Sequence, residues 1–198
     1  MRAAETPVTG YALIGMHDRA IGAWKARKAV ADIDFEREDF AAAHAGYAAV
    51  WPALPADHPE RVTVAARLVE LASAVGDLDA LLERTRAYLA LRPGEHPVAV
   101  QVGARLAAAG RLQAAYDLLT GLFAERDELR AELPLVRAIA AIAEQAGEDA
   151  EALRWYEHAV SLGPRDPAFW LDLARLLART GDAAAAREAM TLARSRMG

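Results

Sequence analysis

Five carboxylates stand within eight residues: Asp32, Asp34, Glu36, Glu38 and Asp39. Carboxylates at that density coordinate hard cations, and the D-x-D-x-E run from Asp32 has the opening spacing of a calcium loop. The later positions fail. The sixth, which needs glycine for a sharp turn, is Arg37, and the twelfth, which needs a bidentate glutamate, is Ala43. The other reading is a solvated turn whose acids favour the N-terminal end of the next helix through its dipole, with Asp39 as N-cap. The histidines, His17, His44, His58, His96 and His158, include no pair four residues apart and no H-E-x-x-H zinc motif. His58 and His96 each precede a proline, where turn or capping chemistry is expected. Ser73, Ser161 and Ser195 lie outside any G-x-S-x-G nucleophile motif. There is no cysteine, so no thiol nucleophile, disulfide or iron–sulfur cluster. Neither glycine-rich phosphate loop, G-x-G-x-x-G nor G-x-x-x-x-G-K-[ST], is present. No catalytic, cofactor-binding or metal residue is therefore assigned, and the expectation is a protein that is not an enzyme.

The elements around these residues are helical. Of the 198 residues about a quarter are alanine, and leucine is abundant while β-branched runs are scarce, a composition that favours helix. The net charge of −5 repels a polyphosphate backbone, so nucleic acid is not expected as a partner. Lys25 and Lys28 are the only lysines; every other basic residue is arginine, whose forked donors suit carboxylates and backbone carbonyls. Apolar runs such as Ala138–Ala143 fall far short of the roughly 20 residues a membrane helix needs. The start, Met1-Arg2-Ala3-Ala4-Glu5-Thr6-Pro7, lacks the apolar stretch of a signal peptide. A cytoplasmic location is expected, with no membrane partner.

Gly76, Gly110, Gly147 and Gly181 lie 34, 37 and 34 residues apart, and self-similarity at such a period is the signature of a solenoid. With each glycine as position 15, units begin at Val62, His96, Leu133 and Pro167. In the third of these, positions 8, 20, 24, 27 and 32 are Ala140, Ala152, Tyr156, Ala159 and Pro164. In the fourth, positions 4, 7, 8, 20, 24 and 27 are Trp170, Leu173, Ala174, Ala186, Met190 and Ala193. Methyl-sized residues at 8, 20 and 27 let two antiparallel helices approach closely, and the bulky ones fill the space between units.

This pattern resembles the tetratricopeptide repeat. The resemblance implies an all-α fold: an α-α superhelix, a right-handed solenoid of about five helix-turn-helix repeats behind an N-terminal capping helix. Residues 1–23 are read as a loose tail (1–8) followed by that capping helix, broken near Gly22. Residues 24–198 are read as repeats near 24–61, 62–95, 96–132, 133–166 and 167–198. In the first, position 1 falls on Trp24 and Glu38 replaces the glycine; Trp24, Val30 and Ile33 are expected to anchor its first helix. In the second, Leu81 and Tyr88 exceed the small positions, so that pair should spread or tilt. The three extra residues after Asp127 are read as one more turn of the preceding helix. The last helix, about 183–197, either caps the stack itself or precedes further chain.

In the tetratricopeptide family the first helix of each pair lines a concave wall, mainly at positions 2, 5, 6, 9, 12 and 13. Here those positions include Arg67, then Val100, Gln101 and Ala104, then Arg137 and Ala141, then Leu171, Arg175 and Arg179. No repeat pairs lysine at 5 with asparagine at 9, as members that clamp a C-terminal carboxylate do. A small, apolar middle flanked by arginines suits a peptide or amphipathic helix with acidic flanks; the arginines could equally pair with acids of their own chain. Trp51 and Trp155, beside the repeat frame, are candidate surface anchors. The resemblance thus implies a scaffold for another protein, with self-association through the terminal repeats as a further option. The alternative is the substrate-recognition segment of a larger bacterial enzyme, such as a glycosyltransferase or sulfotransferase.

Overall fold

Each segment between the turn glycines is rich in alanine, leucine and arginine, and each holds two α-helices. The structure, a computed structural model, describes the backbone of residues 9–197 and the side chains of residues 22–197. The expected tail at 1–8, and the side chains of the expected N-terminal helix at 9–21, lie outside the described set. Among the described residues there is no strand, and within each of two units consecutive helices pack on one another. No described helix is long and apolar enough to cross a membrane. The chain divides into two compact units, Met1–Arg92 and Pro93–Gly198.

The first unit holds α1 (Thr9–Glu36), α2 (Phe40–Val50), α3 (Glu60–Val75) and α4 (Leu78–Leu91). The expected break near Gly22 is absent: α1 runs straight through it, since a lone glycine costs a helix only about 1 kcal/mol. Glu38, where the other units have glycine, adopts the same left-handed backbone, φ 60°, beside 76° at Gly76. The turn is closed by the Asp39 amide donating to the Asp34 carbonyl at 2.9 Å. Asp39 then caps α2, its carboxylate accepting from the Ala42 amide at 3.1 Å. Trp24, Ala31, Tyr47, Val50, Val64 and Leu68 form the core. Val30 and Ile33, expected to anchor α1, are exposed instead; the inward stripe is Trp24, Lys28, Ala31 and Phe35. The His58 ring accepts the Glu60 amide at 3.2 Å, the turn chemistry expected of it.

The second unit holds α5 (His96–Ala108), α6 (Leu112–Glu125), α7 (Leu133–Gln145), α8 (Asp149–Ser161), α9 (Pro167–Thr180) and α10 (Ala183–Met197). The three extra residues do not lengthen α6. Arg126 turns extended (φ −139°, ψ 107°) and a 3-10 helix, Asp127–Ala131, follows, pinned by buried Leu129. The small positions work as spacers: Ala140, Ala152 and Ala159 are fully buried. A side chain at Gly103 would press on Leu119, whose carbons lie 3.1–3.4 Å from the place of its Cβ. Pro164 ends the fourth repeat, and its carbonyl accepts the Trp170 indole N–H at 3.1 Å.

Candidate functional site

The candidate residues fall in both units. In the second, α5, α7 and α9 are the first helices of their pairs. Gln101 and Ala104 are exposed on α5, with Val100 half-buried beside them; Ala141 is half-buried on α7, and Leu171 is exposed on α9. The three arginines form a ladder between α7 and its neighbours. Arg137 of α7 bridges Asp166 and Asp172, the latter at 3.0 Å, and the other Asp172 oxygen accepts from Arg175. Arg179, at the end of α9, forks onto Asp149 at 2.7 and 3.1 Å and reaches Glu144 at 3.2 Å.

Each charge has a local cause. Asp166 caps α9 by accepting the Ala168 amide at 2.9 Å; that bond first, then Arg137, holds its carboxyl below the usual range. Burial alone would lower the Arg137 pKa, but hydrogen bonds to Asp166 and Asp172 outweigh it and raise the value. Hydrogen bonding from Arg179 likewise holds Asp149 down, and Arg179 is pushed up in return. Three guanidiniums thus face four carboxylates, Glu144, Asp149, Asp166 and Asp172. An acidic partner would have to compete with these internal pairs, and only Arg175, with its side chain 70% exposed, presents much free surface.

Arg67 lies in the first unit. It pairs with Glu70 at 2.7 Å and stacks over the Phe35 ring at 4.0 Å. It borders an open cavity of about 640 Å³ lined also by Lys28, Asp32, Tyr47 and Thr63. Lys28 pairs with Asp32 at 2.9 Å and Glu60 at 3.4 Å, while the Tyr47 hydroxyl donates to Asp32. The sequence reading missed this cluster, although its signal was present: with Trp24 at position 1, Lys28, Asp32 and Phe35 occupy groove positions 5, 9 and 12.

The remaining candidates disperse. Asp32 and Asp39 of the acidic cluster are engaged in the ion pair and the helix cap, and no group of three metal-ligating side chains gathers among the described residues. Trp51 lies under the Arg61 guanidinium at 4.1 Å. Trp155 packs edge-on against Phe123 at 4.8 Å and donates to Glu151 at 2.9 Å and the Tyr116 hydroxyl at 3.1 Å. Both indoles are half-buried in their own unit's packing rather than standing out as anchors.

The comparisons agree with this geometry. Residues 133–176 match the family model described as Tetratricopeptide repeat. No curated protein matches by sequence. Among solved structures, the chain is similar to a crystal structure of MamA at 18% identity and a TM-score of 0.61, covering 85% of this chain and 94% of that one. MamA from Desulfovibrio magneticus RS-1, residue 41 to its end, aligns at 15% identity and 0.59, covering 88% and 94%. PilF of Pseudomonas aeruginosa aligns at 20% identity and 0.56, covering 92% and 78%. Residues 133–176 are thus similar to the tetratricopeptide repeat, and the chain has the fold of the tetratricopeptide-repeat solenoids.

Proposed function

We propose that the chain is a protein-interaction scaffold that holds a helix or extended segment of another protein against the first-helix face of its second unit. The observation behind this reading is the ion-pair ladder. Arg137 and Arg179 tie α7 to α9 and to the start of α8 through named carboxylates, so the face is ordered before a partner arrives and little ordering entropy is lost on binding. Beside the ladder the first helices show short or apolar side chains, Ala104 and Leu171 exposed and Val100 and Ala141 half-buried, with Gln101 as the polar neighbour on α5. Small side chains admit close approach of a partner backbone, and the apolar area supplies the attraction. Because the arginines are already matched by acids, the favoured partner is an apolar or amphipathic segment rather than an acidic tail.

Photo-crosslinking tests it. A photoreactive residue at Gln101 or Ala104 should trap one discrete protein in extracts of the source cell, and Leu171→Asp should weaken the capture. The same residue at Glu157 or Glu188, on second helices, should trap none. Equal capture from both faces would remove the assignment.

A further inference from the structure

Within the second unit, a finished helix pair is the seat of the helix that follows. α7 packs against both α5 and α6, and α9 packs against α8. The α9 contact shows what such a seat takes. Phe169, Leu173 and Leu176, at i, i+4 and i+7, join one buried cluster with Tyr156 and Ala159 of α8. The Tyr156 and Phe169 ring centroids stand 5.5 Å apart. On α10 the corresponding seat is open. Met190, at the repeat position of Tyr156, is 40% exposed, against 1% for Tyr156. It lines a trough of about 610 Å³ together with Ala174 and Ala178 of α9 and Ala186 of α10.

The trough carries charge of one sign. Arg187 and Arg194 line it, and no carboxylate does. Neither makes an ion pair among the described residues; Arg187 Nε donates to the Ala183 carbonyl of its own helix at 3.1 Å. By contrast, Arg137, Arg175 and Arg179 of the same unit are each matched by a carboxylate. Arg187 and Arg194 are seven residues apart, so they stand two turns, about 10 Å, from each other along one side of α10.

We propose that this trough docks an amphipathic helix of another protein, with apolar residues at i, i+4 and i+7 and two carboxylates two turns apart on its flank. The helix lies on α10 as α9 lies on α8, and its acids neutralise Arg187 and Arg194. Charge complementarity selects this occupant. A second copy meeting trough to trough would bring two more arginines and no carboxylate. The first-helix face differs in the same respect, because its arginines already have acids and an acidic helix is not favoured there.

Fluorescence anisotropy with a labelled peptide of about 18 residues, long enough to hold a helix, tests the proposal. One version carries leucines at i, i+4 and i+7 and two glutamates seven apart on the flank; the other has lysines in place of those glutamates. At low salt the glutamate version should bind roughly tenfold more tightly or better. Arg187→Glu/Arg194→Glu, at exposed positions, should reverse the preference. Met190→Glu should weaken binding of the glutamate version by roughly tenfold or more; if circular dichroism shows that variant unfolded, the charge reversal decides alone. A photoreactive leucine at the central apolar position of the peptide should crosslink to α10. No binding of the glutamate version, a preference that the double variant does not reverse, or crosslinks confined to α5 and α7 overturns the proposal. Self-association of the wild-type chain that Met190→Glu abolishes in sedimentation assigns the trough to a second copy and also overturns it. So does capture by phosphatidylglycerol vesicles, lost in the double variant, in place of peptide binding.

Discussion

Gly46 of α2 lies so close to Ala31 of α1 that a Cβ built on it would stand 2.7 Å from the Ala31 Cβ and 3.4 Å from its Cα. Two helices meet here backbone to backbone, and the missing side chain is what brings Tyr47 and Val50 down onto Trp24 and Leu68. Gly46→Val should therefore force the pair apart and cost about 1–3 kcal/mol. Gly121, inside α6, has nothing within 4 Å of its Cβ position, so Gly121→Ala should gain up to about 1 kcal/mol from helix propensity. Urea unfolding of both variants checks the contrast. Shifts of the same sign would show that propensity, not approach distance, governs these sites.

Glu38 has a left-handed backbone, φ 60°, without the glycine that serves this role in later repeats. For a residue with a Cβ that conformation costs about 1–2 kcal/mol, partly offset by the greater freedom a glycine has when unfolded. Glu38→Gly should raise stability by about 0.5–1 kcal/mol. Thermal melts of the variant beside Glu38→Ala, which keeps the strain, separate the backbone effect from loss of the carboxylate.

The Lys28–Asp32–Tyr47 cluster predicts two pH limbs. Burial pushes the Asp32 carboxyl up, but hydrogen bonds from Tyr47 and Lys28 outweigh it and leave its pKa below the ordinary 3.8. The folded carboxylate thus contributes stability that is present above pH about 4 and lost as pH falls through the folded value. Burial first, then the bond to Asp32, pushes the Tyr47 phenol above its ordinary 10.0. That contribution is present below pH about 10 and lost as pH rises past it. Tyr47→Phe should flatten the alkaline limb and bring Asp32 back toward its ordinary value. Unfolding free energies measured from pH 3 to 11 show it, and unchanged curvature on both limbs would contradict the assignment.

Arg179 stands between Asp149 and Glu144. Arg179→Glu places a third carboxylate beside them, so it should lower the melting temperature more than Arg179→Ala, and the gap should narrow in high salt as the repulsion is screened. Arg175→Ala, at a largely exposed pair, should leave stability within about 0.5 kcal/mol of wild type. Differential scanning fluorimetry at low and high salt resolves the three. A salt-independent gap would assign the Arg179 effect to lost packing.

The repeat frame was legible in the chain because its signals are local. Gly76, Gly110, Gly147 and Gly181 all take the left-handed turn, and Ala140, Ala152 and Ala159 are buried at the spacing that close helix approach demands. Asp39 caps the helix it precedes, and His58 serves its turn. These depend on a residue's backbone preference or size, so the amino-acid order alone decides them.

The candidate site was less legible, because it depends on which side chains meet across helices far apart in sequence. Arg137 and Arg179 could be placed on the first-helix face from spacing, yet their carboxylate partners lie 29–35 residues away in the chain's order, at Asp149, Asp166, Asp172 and Glu144. Val30 and Ile33 read as core because apolar helix residues usually pack; only the arrangement of helices shows them exposed. Trp155 stood out in the sequence as one candidate surface anchor, and only the fold brings Phe123 and Tyr116 against it. Sequence order thus determined where the helices begin and end and how closely each pair approaches. Tertiary packing alone decided which charges neutralise one another and which apolar faces stay open, since both depend on neighbours that no local pattern names.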